Sequence, residues 1–193
     1  MLANEVALPQ SALSFSPERP AHSRSVTHPD DGLVIAAQKG DRAAFSRLYA
    51  AYAPMVHGIL LARVPRDEVE DLLQDVFLTA MKRLSSLRDP RSFGAWLATV
   101  TRNRANDYHR APHGSELPEQ VPSHRPMETE AWFVMRAIRN LPEAYHETMT
   151  LRLVEGMTGP EISARTGLTE GSVRVNLHRG MAMLREALAK KAV

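Results

Sequence analysis

Val69, Leu72, Leu73, Val76, Phe77, Ala80, Met81 and Leu84 fall at the three-then-four spacing that closes one face of a helix. A half-buried strand would need apolar residues at every second position, and no segment of the chain is β-rich in that way. The feature that decides the fold class is therefore helical period, repeated along the sequence. Asp67 is the expected N-cap of this helix. Before it, Asp41 is placed to cap a helix carrying Phe45, Leu48, Tyr49 and Tyr52 on one face, with Pro54 expected to bend it. After it, Asp89-Pro90 marks a turn, and Phe93, Trp96, Leu97 and Val100 predict a further helix running to Arg110.

Residues 111–128, "APHGSELPEQVPSHRPME", interrupt the period with Pro and Gly and are expected to form a flexible linker, which extended would reach roughly 60 Å. Helical signals then resume in four pieces, about 129–140, 142–155, 160–166 and 170–189. Residues 1–30, rich in Pro, Ser and Ala, read as a disordered tail. The expectation is an all-α chain: a helical domain at 31–110, the linker, and a second small helical domain at 129–193.

The second domain ends in a helix-turn-helix pattern. Thr158 is placed to cap a short helix with Pro160 in its first turn, Gly167 to supply a left-handed turn, and Thr169 to cap the next helix. Ile162, Leu168, Val173 and Leu177 are the expected packing between the two. From 170 to 191, Arg174, Arg179, Arg185, Lys190 and Lys191 outnumber Glu170 and Glu186. A net charge of only +2 proves no nucleic-acid partner, so the case rests on placement. Early residues of such a helix reach base edges in a major groove, where an arginine fork suits guanine O6 and N7.

Charge is also segregated in the first domain. Five acids, Asp67, Glu68, Glu70, Asp71 and Asp75, lie between 63 and 75, against Arg63 and Arg66. Lys82, Arg83, Arg88, Arg91, Arg102, Arg104 and Arg110 follow, against Asp89 and Asp107. One surface suits a basic protein, and the next suits phosphates. Trp96 reads as core first, although it and Tyr108 are types that stack on unpaired bases. No His stands at ligand spacing in the acidic run, so no metal site is assigned. There is no nucleophile with a base at fixed spacing and no phosphate-binding Gly loop, hence no expected catalytic residue or cofactor. The chain has no cysteine, which fits a reducing, cytoplasmic setting. It begins with nothing like a signal peptide and has no apolar run near the roughly 20 residues of a membrane span.

From about Leu33 to Leu188 the sequence resembles a bacterial RNA polymerase sigma factor of the extracytoplasmic-function (ECF) type. "GDRAAFSRLYAAYAPMVH" and "DLLQDVFLTAMKRL" are similar to the first half of that family's region two, and "FGAWLATVTRNRANDYHR" to its promoter-opening helix. "LPEAYHETMTLRLVEGMTGPEISARTGLTEGSVRVNLHRGMAMLREAL" is similar to its region four. The resemblance implies a non-enzymatic subunit whose partners are core RNA polymerase, through the clamp helices of the largest subunit and the flap, promoter DNA, and an anti-sigma protein. It implies that Asp71, Gln74, Asp75 and Phe77 dock the clamp helices. Arg88, Asp89, Arg91 and Ser92 would capture a flipped −10 base, and Arg102, Asn103 and Asp107 would hold the opened strand. Thr169, Gly171 and Ser172 fall near −35 phosphates, with Arg174, Val175, His178 and Arg179 where the family reads −35 bases.

Some positions depart from the family pattern. Thr99 and Val100 stand where primary sigma factors carry paired tryptophans, implying weaker melting. Val175 and Asn176 replace polar or basic residues common in the recognition helix. Thr166 replaces an aliphatic residue and is expected to loosen the helix before the turn. A stand-alone dimeric helix-turn-helix regulator is the rival reading, and it leaves the acidic helix and the −10-like loop without a role. A recombinase or nuclease would need catalytic residues that the sequence does not display.

Overall fold

A computed structural model describes residues 30–111 and 130–189. The tail at 1–30 and the linker at 111–128 lie almost wholly outside them. The described residues form eight α-helices and no strand: α1 (Asp31–Gln38), α2 (Arg42–Leu61), α3 (Val69–Arg83), α4 (Phe93–Arg110), α5 (Glu130–Arg139), α6 (Glu143–Leu153), α7 (Gly159–Thr166) and α8 (Glu170–Ala189).

Local chemistry sets the starts of α2 and α7. The Asp41 carboxylate accepts from the Ala43 and Ala44 amides and opens α2, which continues through Pro54 without ending there. The Thr158 hydroxyl accepts from the Glu161 amide while the Glu161 carboxylate accepts from the Thr158 amide, a reciprocal capping box at the start of α7. Asp67 caps nothing. It sits inside a single 3₁₀ turn, Arg66–Glu68, and α3 begins at Val69.

In the first half, α2, α3 and α4 pack around Leu48, Val56, Ile59, Leu60, Val76 and Leu97, all fully buried. This core does not stop at the linker. Leu151, Met157, Ile162 and Val173 of the second half belong to the same apolar cluster, while Ile138, Leu141, Met149 and Leu184 form a smaller one. Helix α6 lies on α2, and α7 lies on α4.

Glycines allow that contact. A Cβ on Gly58 would sit 2.7 Å from a Leu151 methyl, and one on Gly94 would sit 2.7 Å from the Arg165 carbonyl oxygen. Both spacings are closer than side-chain carbons tolerate.

Candidate promoter and polymerase interfaces

The helix-turn-helix is built as its sequence signals imply. Gly167 takes φ 75° and ends α7 in the left-handed region. The Thr169 hydroxyl accepts from the Ser172 amide at 3.1 Å and opens α8. Ile162 and Val173 are buried between the helices, and Leu168 and Leu177 pack against them. Thr166 does not loosen α7: it is buried, its hydroxyl donates to the Ile162 carbonyl at 2.6 Å, and it accepts from the Leu168 amide at 3.3 Å. Packing leaves Thr169, Gly171, Ser172, Arg174, Val175, His178 and Arg179 all exposed along the first half of α8. Asn176 turns the other way, its amide donating to the Thr148 hydroxyl at 3.3 Å.

The loop between α3 and α4 is fixed from two sides. The Asp89 carboxylate accepts from the Arg91 amide at 3.0 Å and from the Ser92 hydroxyl at 3.5 Å, holding a tight turn. The Gln38 amide of α1 donates to the carbonyls of Leu84 and Leu87 at 3.0 and 2.7 Å. Arg88, Asp89, Arg91 and Ser92 are thus exposed on a positioned turn. Along α4, Asn103 and Asp107 are exposed, with Asp107 3.6 Å from Arg110. Trp96 is half-buried against Phe93, as a core residue should be.

On α3, Asp71 and Gln74 are exposed. Asp75 is half-exposed and accepts from Arg104 of α4 at 2.6 Å. Phe77 is not part of that exposed face. It is 4% exposed and packs on Tyr49 and Phe45, with ring centroids 4.4 and 6.5 Å away. The reason is the helical stripe itself, which puts residue 77 beside Leu73, Val76 and Ala80. The large apolar groups on the outer side are Leu78, 49% exposed, and Met81, 54% exposed, although helical period alone places Met81 inward.

Arg102 departs furthest from an open DNA-reading surface. Its Nε and an Nη atom donate to the two carboxylate oxygens of Glu147 on α6, at 3.1 and 2.7 Å, and Arg63 donates to the same carboxylate at 3.1 Å. The Glu147 side chain is 11% exposed. Burial works to raise its pKa, but the hydrogen bonds and charges of Arg102 and Arg63 outweigh burial and hold it below the ordinary carboxylate value. The carboxylate stays ionised, and its stabilising contribution is present above the ordinary value and lost only as pH falls through the depressed one.

Two stretches of the chain match family models: residues 48–113 match Sigma-70 region 2, and residues 134–184 match Sigma-70, region 4. Over 182 residues the chain is 31% identical to the ECF RNA polymerase sigma-E factor of Escherichia coli (strain K12), covering 84% of this chain and 93% of the relative. The chain belongs to the ECF RNA polymerase sigma factors. The sigma-E factor of Haemophilus influenzae is 29% identical over 175 residues, covering 80% of this chain and 93% of that one. A solved structure, CnrH in complex with the cytosolic domain of CnrY, matches with TM-score 0.61 and 27% identity over 83% of this chain and 97% of the other. The sigma factor RpoE in complex with the anti-sigma factor NepR from Bartonella quintana shares the fold, with TM-score 0.54 and 21% identity over 75% of this chain and 96% of that chain.

In sigma-factor terms, Arg102 is a region-two residue held by a region-four acid. Sequence reasoning singled out neither Glu147 nor Arg63 as a site. The available signal was α6 itself, where Glu147, Thr148, Met149, Thr150 and Leu151 are buried in succession. A helix without a clean polar side is enclosed by neighbours on more than one face.

A second acid of region four makes a similar crossing. Glu155, just beyond α6, lies 2.6 Å from His57 Nδ1 on α2. That hydrogen bond raises the His57 pKa most, burial opposes it, the charges of Glu155 and Glu70 add to the rise, and Arg66 subtracts from it. A raised histidine pKa contributes stability below the unfolded value of 6.5 and loses it as pH rises through the folded one. The thermal midpoint should therefore fall as pH rises above that unfolded value, and His57→Gln should flatten that part of the profile. Identical pH profiles for the two proteins would show that the pair contributes nothing.

Proposed function

We infer that the chain is an alternative sigma factor that joins core RNA polymerase, reads −35 and −10 promoter elements, and aids strand opening. The observation that carries this reading is the presentation of seven expected −35 residues on one uncovered helix face, in a chain that also bears the −10 turn. Phosphate contacts would set register through Thr169, Gly171 and Ser172, and base contacts would come from Arg174, Val175, His178 and Arg179. Arg88, Asp89, Arg91, Ser92, Asn103 and Asp107 would engage the opened −10 strand, joined by Arg102 once it is released. Asp71, Gln74 and Asp75 would meet the clamp helices, with Phe77 supporting that face from beneath. Thr99 is exposed and Val100 half-buried, so neither supplies an aromatic wedge, and opening would depend on the −10 sequence.

The working units would be the domains at 31–110 and 129–193, joined through 111–128, with a tail at 1–30. The chain would act in the cytoplasm as a binding subunit and not as an enzyme. No helix among the described residues is long and apolar enough to cross a membrane. An anti-sigma protein is the expected regulator, in keeping with the complexes formed by CnrH and by the Bartonella RpoE.

Run-off transcription with purified core polymerase on a promoter library tests the function. A discrete set of start sites, absent without the protein, is expected. Specific DNA binding that never yields transcripts, at paired half-sites, would replace this reading with that of a dimeric regulator.

A further inference from the structure

We propose that Arg63 and Arg102 form a DNA phosphate site of region two, and that Glu147 of region four occupies it as an internal anion when the two regions are packed together. The proposal rests on the sigma-factor reading above and goes beyond it in two ways. It adds Arg63 to the DNA-binding surface, and it makes the packed chain self-inhibited.

The geometry is that of an anion clamp. Arg102 presents a two-pronged fork to the Glu147 carboxylate, and Arg63 adds a third donor to one of the same oxygens. A guanidinium fork matches a phosphate as well as it matches a carboxylate. The two arginines come from different helices or their ends, α4 and the segment after α2, so the fold brings two cations to one point. Two guanidinium groups sharing one anion repel each other once it leaves. A separated region two would therefore present a cationic pair in need of a new anion. Promoter DNA supplies one at every nucleotide.

The site is open enough for exchange. A cleft of about 300 Å³ lies beside it, lined by Arg63, Arg102, Glu143, Glu147, Thr148 and Asn176. The clamp is also incompletely satisfied as it stands, because Arg63 Nε is buried with no hydrogen-bond partner among the described residues.

The packed state is specified by the sequence and is not a loose collapse. Gly58 admits Leu151 and Glu155, Gly94 admits the backbone of Arg165, and Gly167 admits Ala95, each at a distance that a Cβ would violate. Arg165 reaches back from α7 to donate to the Ala51 carbonyl and lies over the Tyr52 ring. The same movement that lifts α6 and α7 from region two would free Arg102 for the −10 strand and expose the phosphate site.

The chain contains no cysteine, so Ser46→Cys and Ala182→Cys at exposed positions on α2 and α8 allow paired dyes in the full-length protein. With Glu147→Gln added, the dye separation should increase, and affinity for a non-specific duplex should rise about tenfold at low salt. The dependence of log affinity on log salt should steepen by about two, one for each freed arginine. Adding Arg63→Gln to Glu147→Gln should take back about one of those two. Unchanged dye separation and salt slope in a folded Glu147→Gln protein would overturn the proposal.

If circular dichroism shows that Glu147→Gln does not fold, Arg63→Gln alone decides the matter in the promoter complex with polymerase. There the salt slope should become shallower by about one with no change in base preference, and an unchanged slope would overturn the phosphate site. Run-off transcription by the unmodified protein separates this proposal from the function it rests on. Transcription with an inert Glu147 removes the proposal alone. A Glu147 effect on DNA binding without transcription leaves the anion site standing and removes the sigma-factor reading.

Discussion

Arg174→Ala should weaken −35 recognition by about 1–3 kcal/mol, and should do so at a single base pair. The side chain stands in the first turns of α8, exposed, while its neighbour Val173 is buried against α7 and fixes the helix in place. An exposed arginine on a rigid helix can be truncated without disturbing the packing beneath it, so the loss falls on the contact and not on folding. The measurement is transcription by the polymerase complex across all single-base variants of one −35 element. For the wild-type protein, one position should show a strong guanine preference that vanishes with Arg174→Ala. Ser172→Ala offers the contrast, because loss of the phosphate contact proposed for it should weaken every variant alike. An Arg174→Ala protein that loses activity equally on all variants would assign this arginine to the backbone, and one with no loss would mean that α8 docks in another register.

The features read correctly from sequence are those set by near neighbours. The Asp41 cap, the Thr158 cap, the Gly167 turn and the Thr169 cap each depend on atoms within four residues, and each forms as its local chemistry requires. The helical spans from 130 onward follow for the same reason. Misreadings occur where distant or competing contacts decide. Asp67 had the composition of a cap, yet a 3₁₀ turn carries the chain into α3 without using it. Phe77 satisfied two readings at once, a core position by period and a docking position by resemblance, and aromatic packing with Phe45 and Tyr49 settles its place inside. Thr166 is read as a weak substitute for an aliphatic residue only if its hydroxyl has no acceptor, and the Ile162 carbonyl is in reach. The Glu147 clamp was the least legible of all, since its arginines lie 45 and 84 residues away and the one local sign of its burial is that α6 lacks a clean polar side.

Asp71→Lys should weaken binding to core polymerase by on the order of 2 kcal/mol, about thirtyfold, with helical content unchanged. The argument begins with what α3 buries. Val69, Leu72, Leu73, Val76, Phe77 and Ala80 face the core, so a charge change on the outer face leaves the core packing alone and costs only the small dipole advantage of an acid in the first turn. Asp71 and Gln74 stand on that outer face with Leu78, an acidic and apolar combination suited to a basic partner with an apolar contact of its own. Asp75 is the poorer probe although it lies on the same helix. Its carboxylate already accepts from Arg104, so Asp75→Lys would set two cations together and disturb α4 as well as any docking. The two substitutions should therefore separate: Asp71→Lys loses polymerase with only a small fall in melting temperature, and Asp75→Lys loses some polymerase binding with a larger one. A pull-down titration against core polymerase, paired with thermal denaturation, measures the two quantities. Polymerase binding that survives Asp71→Lys intact would move the docking surface off α3, and with it the role inferred for the acidic run.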